Sequence, residues 1–208
     1  MTDHAYDRDF WEQLWSKTID ERGDQVARRP PNGHLTQAAD DLRPGLALDA
    51  GCGHGSEAIW LAARGWNVTA VDFSAAALAQ GRNTAATAGP GLAARIEWIE
   101  ADLGTWTPEP SRYDLVASIY VHIQGPVEEA VGRLAAAVAP GGAFLLVGHQ
   151  PIDPTTGAPT PAAGQVQVSI DTAMLVLDPA HWELSIAEDR PRAAGGGVDA
   201  VVFARRMS

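Results

Sequence analysis

The chain has 208 residues, 46% of them hydrophobic, and a formal charge of −11, which suits one α/β domain with a decorating segment and a core of ordinary size. Lys17 is the only lysine, so there is no basic stripe for a phosphate backbone, and nucleic acid is not an expected partner. The only cysteine, Cys52, excludes an intramolecular disulfide framework and any multi-cysteine zinc site.

The opening MTDHAYDRDFWEQLW is polar and acidic, unlike a signal peptide. Gly and Pro interrupt the longest apolar runs before they reach the length of a membrane span. A soluble, cytoplasmic protein with no membrane partner is therefore expected. Tyr6, Phe10, Trp11 and Trp15 fall on one helix, which is followed by the loop-like run RRPPNGH. Residues 1–45 read as an N-terminal helical cap.

From Leu46 onward, short aliphatic runs alternate with Ala-rich helical stretches. Strands are predicted at Leu46–Ala50, Asn67–Asp72, Arg95–Glu100, Tyr113–Tyr120 and Ala143–Val147. Between them the spacing predicts a helix at Ser56–Arg64, stopped by Gly65, and one from Ala75 to Gly89, capped by Ser74. A third, Val127–Val138, is ended by Pro140-Gly141-Gly142. After His149 comes a Pro- and Gly-rich segment, 149–168, read as a long loop that either covers a substrate or is simply flexible. A helix at Ser169–Leu177 follows. Two closing strands, Trp182–Glu188 and Val198–Ala204, are joined by a turn at Ala193–Gly197 and pair antiparallel. The alternation implies a mostly parallel sheet with helices on both faces, a Rossmann-like three-layer sandwich.

The most informative stretch is ALDAGCGHGSEAIWLA, residues 47–62. A strand runs into Asp49-Ala50-Gly51-Cys52-Gly53-His54-Gly55, and a helix follows directly. Glycines permit positive φ and close approach of a ligand, while the helix N-terminus offers unpaired N–H groups. A dinucleotide site would show G-x-G-x-x-G; here the spacing is G-x-G-x-G, with an acid two residues ahead of the first glycine. Asp49 would oppose a pyrophosphate but welcome the amino group of a methionine moiety. Asp72, ending the second strand, is placed to accept both hydroxyls of a ribose.

D-x-G-x-G-x-G followed by an acid at the end of the second strand resembles the class I S-adenosylmethionine (SAM)-dependent methyltransferases. The likeness runs from about residue 46 to 148. Asp102 in E-A-D-L matches the family position that contacts the adenine amino group, Asp114 in Y-D-L-V matches the acid opening the fourth strand, and Ala139-Pro140-Gly141-Gly142 matches the turn before the fifth. The length and F-W-E-Q-L-W resemble the small tellurite-resistance and thiopurine-type enzymes, in which N-terminal aromatics close over the cofactor. The resemblance implies a seven-stranded sheet of order 3-2-1-4-5-7-6 with the last strand antiparallel. It places the cofactor against Asp49, Gly51, Cys52, Gly53, Gly55, Asp72, Phe73, Ser74, Ala101, Asp102, Leu103 and Ile119, with Trp11 and Trp15 either as a lid or as a staple of the N-terminal helix onto the core.

Residues just after strands four and five would face the methyl group. They include Tyr120, His122 and Gln124, then His149 and Gln150. Tyr120, His122 and His149 are the candidate catalytic residues, either histidine serving as base if the acceptor must lose a proton. His54 is expected to orient the loop. Cys52 at a helix N-terminus raises the idea of a thiol nucleophile, but no ordered third partner accompanies it. His4, His34 and His181 are scattered, and no metal site is expected. The expected function is transfer of the SAM methyl group to a small-molecule acceptor, leaving S-adenosylhomocysteine, in a monomer or homodimer. A SAM-binding protein without methyl transfer and an NAD(P)-dependent oxidoreductase are the alternatives.

Overall fold

The computed structural model describes residues 8–123, 125–153, 156–160, 168–192 and 197–208. Its strands are β1 (Leu46–Ala50), β2 (Asn67–Asp72), β3 (Ile96–Glu100), β4 (Tyr113–Ile119), β5 (Val138–His149), β6 (Trp182–Pro191) and β7 (Val198–Arg206). The helices are α1 (Arg8–Ala27), α2 (Gly33–Ala39), α3 (Ser56–Ala63), α4 (Ala75–Ala88), α5 (Pro90–Ala93), α6 (Val127–Ala136) and α7 (Ile170–Val176). All seven strands form one sheet in the order β3-β2-β1-β4-β5-β7-β6. β1 to β5 run parallel, and β7 is antiparallel to both β5 and β6. This is the expected Rossmann-like topology.

The side-chain alternation of a strand explains why both faces need helices. On one face Ala47, Leu115, Ala117, Leu145 and Phe203 join Leu35 of α2, Leu61 of α3 and Leu78 of α4 in a buried cluster. On the other, Leu48, Val116, Phe144, Leu146 and Val202 pack with Val131 and Leu134 of α6 and Ala173 of α7. Strands apolar on both sides cannot stay open to water, so the layers close around them. Strand order reverses at β1, which pairs with both β2 and β4. The crevice therefore opens beyond the carboxyl ends of these strands.

Two local readings change, and the place of Asp114 becomes clear. The run RRPPNGH is not all loop, because α2 begins inside it at Gly33. Asn32 caps that helix by accepting the His34 N–H at 2.8 Å. Pro140-Gly141-Gly142 does not precede the fifth strand but interrupts it. Val138 already pairs with Tyr113, and pairing resumes at Ala143 with Leu115, so 139–142 bulge outward between them. Asp114 sits at the opposite end of the sheet from the crevice and accepts the Leu46 N–H at 2.8 Å, fastening the entry to β1.

β6 and β7 run on to Pro191 and Arg206, beyond the expected ends. Within segment 149–168, the described part is tied down. Gln150 donates its N–H to Val198, and Ile152 bridges to Pro159. Tyr6, Gln124, residues 161–167 and most of the turn at 193–197 lie outside the described residues.

Candidate functional site

A cavity of about 880 Å³ opens at the carboxyl ends of β1, β2 and β4. That is near the top of the range for small-molecule sites, roughly 300–1,000 Å³, and gives room for two ligands side by side. One end is built by the glycine loop, the other by the tips of β4, β5 and β7.

The loop end begins where β1 stops. Gly51 has φ +80°, and a Cβ there would lie 2.2 Å from the Val121 side chain, so neither the conformation nor the space admits another residue. Gly55 has φ +79° and caps α3, with the Trp98 ring against it. Asp72 is buried and locked in place: Oδ1 accepts the Ser74 N–H at 2.9 Å and Oδ2 the Gly53 N–H at 2.8 Å. Burial pushes its carboxyl up, against the pull of those N–H groups. Asp49 lies beneath the loop, 2% exposed, and its Oδ2 has no partner among the described residues. Burial, with the charges of Glu57 and Asp72 adding to it, pushes Asp49 well above the usual carboxylate range.

Cys52 and His54 share this loop. Burial and then the carboxylates of Asp49, Asp72 and Glu57 push the Cys52 thiol well up, the reverse of what a thiolate nucleophile needs. Burial and the nearby Arg29 charge lower His54 to about 4, so it is neutral at pH 7. Arg29 itself is exposed on the cavity wall and meets no carboxylate in an ion pair among the described residues.

α1 lies across the mouth. The Trp15 ring comes within 3.0 Å of where a Gly53 Cβ would be and sits 5.4 Å from the His54 ring. One helical turn earlier, Trp11 stacks on His122 at 4.6 Å. Glu12 accepts the Ala76 N–H, and Arg8 pairs with Glu100 at 2.9 Å, which tethers the helix to the β2–β3 side of the crevice.

The other end centres on Asp199 of β7, which is fully buried. Its Oδ1 accepts from Arg192 Nη2 at 2.8 Å and Nε at 3.1 Å, and lies 3.2 Å from His149 Nδ1. Its Oδ2 accepts the Tyr120 hydroxyl at 2.7 Å and is 3.6 Å from His34 Nε2. Burial opposes ionisation, but these contacts prevail and hold Asp199 well below the usual carboxylate range. Tyr120 has φ +57°, a strained setting for a bulky residue. That geometry brings its ring parallel to His149, at 3.8 Å. Burial and Asp199 push the phenol up, so it stays protonated.

Arg192 Nη2 also meets His149 Nδ1, at 2.5 Å. A guanidinium only donates, so the Nδ1 of a neutral His149 accepts and its ring proton is on Nε2. This argues against the proton-accepting role expected for His149.

Most of the expected residues line the cavity. At the loop end these are Gly51, Cys52, Gly53, Asp72 and Phe73, with Asp102 and Leu103 beyond β3. Trp11 and Trp15 face them from α1, and Ile119, Tyr120, His122 and His149 from the strand tips. Asp49, Gly55, Ser74 and Ala101 lie behind that wall; Ser74 holds Asp72 and caps α4 through the Ala77 N–H. Sequence reasoning missed Arg29, His34, Arg192 and Asp199. Only Asp199, a lone acid in the apolar run VDAVVFA, carried a signal. Among the described residues no group of three His, Cys, Asp or Glu is placed to hold a metal ion, and no helix is long and apolar enough to cross a membrane.

Residues 47–142 match a family described as a methyltransferase domain. The chain is 30% identical over 136 residues to trans-aconitate 2-methyltransferase of Paracidovorax citrulli, an alignment covering 64% of this chain and 49% of that protein. The chain thus spans about half the length of this curated relative. A SAM-dependent methyltransferase from Mesorhizobium loti superposes with a TM-score of 0.65 at 19% identity, over 90% of this chain and 100% of that one. TehB from Haemophilus influenzae gives 0.66 at 18%, over 85% and 62%. The [4+2]-cyclase SpnF gives 0.66 at 17%, over 83% and 79%. At these identities the structural likeness is one of fold.

Proposed function

We propose that the chain is a class I SAM-dependent methyltransferase and that it methylates a small-molecule nucleophile, an oxygen by preference, with S-adenosylhomocysteine as the second product. The observation that carries the reading is one cavity with two chemically different ends, large enough to hold donor and acceptor together.

The loop end fits the donor. A buried carboxylate oxygen without a partner, Asp49 Oδ2, sits under the loop where an ammonium group would satisfy it. The α3 N-terminus and the Arg29 charge suit the carboxylate of the same methionine moiety. Asp72, aligned by two backbone N–H groups, would take the ribose hydroxyls, and Phe73, Asp102, Leu103 and Ile119 the adenine. Trp11 and Trp15 would close the site from α1, making residues 1–45 a cap on one SAM-binding domain. The role of segment 149–168 as a cover is carried over from the sequence; its described residues 150–153 and 156–160 are not part of the cavity wall.

When bound, SAM supplies an activated methyl group on a cationic sulfur. The protein's task is then alignment and exclusion of water. Tyr120 and His122 flank the junction between the two ends and would orient the acceptor, with His122 taking its proton where one must be lost. A small acceptor agrees with the net charge of −11, which disfavours a nucleic-acid substrate.

Incubating the protein with methyl-labelled SAM and a broad acceptor panel tests the reading, with label expected in a small product. SpnF, a cyclase of the same fold, supports one second reading: SAM binding without methyl transfer. Bound SAM with persistent failure on the panel would favour it. Nicotinamide cofactor released from the purified protein would overturn both.

A further inference from the structure

The acceptor end has an unusual donor balance for so acidic a protein. Its one carboxylate, Asp199, is fully buried, with Arg192 Nε and Nη2 donating to Oδ1, the Tyr120 hydroxyl donating to Oδ2 and His34 Nε2 3.6 Å from Oδ2. Its burial keeps it from a ligand's donor group. Arg192 divides its donors differently. Nε and Nη2 are spent on Asp199 and His149 and the guanidinium also interacts with the Tyr120 hydroxyl, whereas Nη1 makes no direct hydrogen bond of good geometry among the described residues. The side chain is 27% exposed and lines the cavity. His149 carries its proton on Nε2 when neutral, and Tyr120 already donates inward. The end therefore offers a fixed, half-buried guanidinium edge flanked by imidazoles, and no acceptor of comparable strength.

A planar edge of N–H groups matches a carboxylate. It matches a phosphate less well, because the backbone N–H groups that phosphates favour are gathered at the glycine loop, at the other end of the cavity. We propose that this end is a carboxylate subsite: the methyl acceptor is a small organic acid whose ionised carboxylate is held by the Nη1 edge of Arg192, which Asp199 keeps in place. The proposal rests on the methyltransferase reading only in calling the bound acid the acceptor.

The test is calorimetry on the full chain saturated with S-adenosylhomocysteine. The titrants are mono-, di- and tricarboxylic acids of two to eight carbons, each beside its methyl ester. At least one acid should bind ten- to a hundredfold more tightly than its ester, as expected for hydrogen bonds to a charged group. Arg192→Gln should erase that preference and leave the affinity for S-adenosylhomocysteine unchanged. If no acid outbinds its ester, or if the variant keeps the preference, the carboxylate subsite is wrong. Should the variant fail to fold, the acid-to-ester ratio of the wild type decides alone. Failure to bind S-adenosylhomocysteine would instead strike the methyltransferase reading.

Discussion

The two ends of the cavity hold charge in opposite ways. At the glycine loop, Asp49 and Asp72 are buried with too little to neutralise them, and both carboxyls are pushed up. At the strand tips Asp199 is equally buried, yet is held far below the usual range by the groups that converge on it. An acid left short of partners, as Asp49 is at Oδ2, is suited to a cationic ligand. An acid already satisfied acts on its neighbours, fixing a tyrosine, an arginine and two histidines in one arrangement. The difference teaches that burial alone does not tell a binding carboxylate from an organising one; the partner census does.

Breaking the satisfied end should cost the most stability. Asp199→Ala leaves Arg192 without its buried partner, and unfolding in denaturant should show a loss of about 3–5 kcal/mol. A loss below about 1 kcal/mol would mean that the cluster is not organised by Asp199. At the other end, Asp72→Ala should weaken SAM binding by about 1.5–3 kcal/mol for each hydrogen bond to the ribose, read by calorimetry. There the fold itself should suffer less.

His54 sharpens the comparison through pH. Its folded pKa of about 4 lies below the unfolded value of 6.5, so below 6.5 the unfolded chain binds the extra proton. Its stabilising contribution is full above pH 6.5 and is lost as pH falls toward 4, by roughly 3 to 3.5 kcal/mol in all. The difference between wild type and His54→Gln, measured as stability against pH, should rise through that window. A flat difference would place His54 in solvent.

The smallest effect belongs to His122→Ala, which should lower turnover several-fold and leave SAM affinity nearly intact. Unchanged turnover would make His122 a structural partner of Trp11 only.

The loop end was legible because its residues are neighbours in the chain. Asp49, the glycines and Asp72 lie within two short strand–turn units, and spacing alone carries their chemistry. The other end draws on residues 34, 120, 149, 192 and 199, from four strands and a helix that meet only through the sheet order. His34 looked scattered because the helix that presents it starts at Gly33, inside a run of breakers. The bulge at 139–142 was misplaced because Pro-Gly-Gly marks a turn without saying whether a ladder resumes after it. The sheet order itself came from resemblance, since periodicity gives strands but not neighbours.

The division of the cavity is tested most directly by titrating S-adenosylhomocysteine into wild type, Asp72→Ala and Arg192→Gln, with NAD as the control ligand. Wild type and Arg192→Gln should bind it with the same affinity, Asp72→Ala at least tenfold more weakly, and NAD should give no heat. Binding of NAD in preference to S-adenosylhomocysteine, or an Asp72→Ala variant as tight as wild type, would contradict the account.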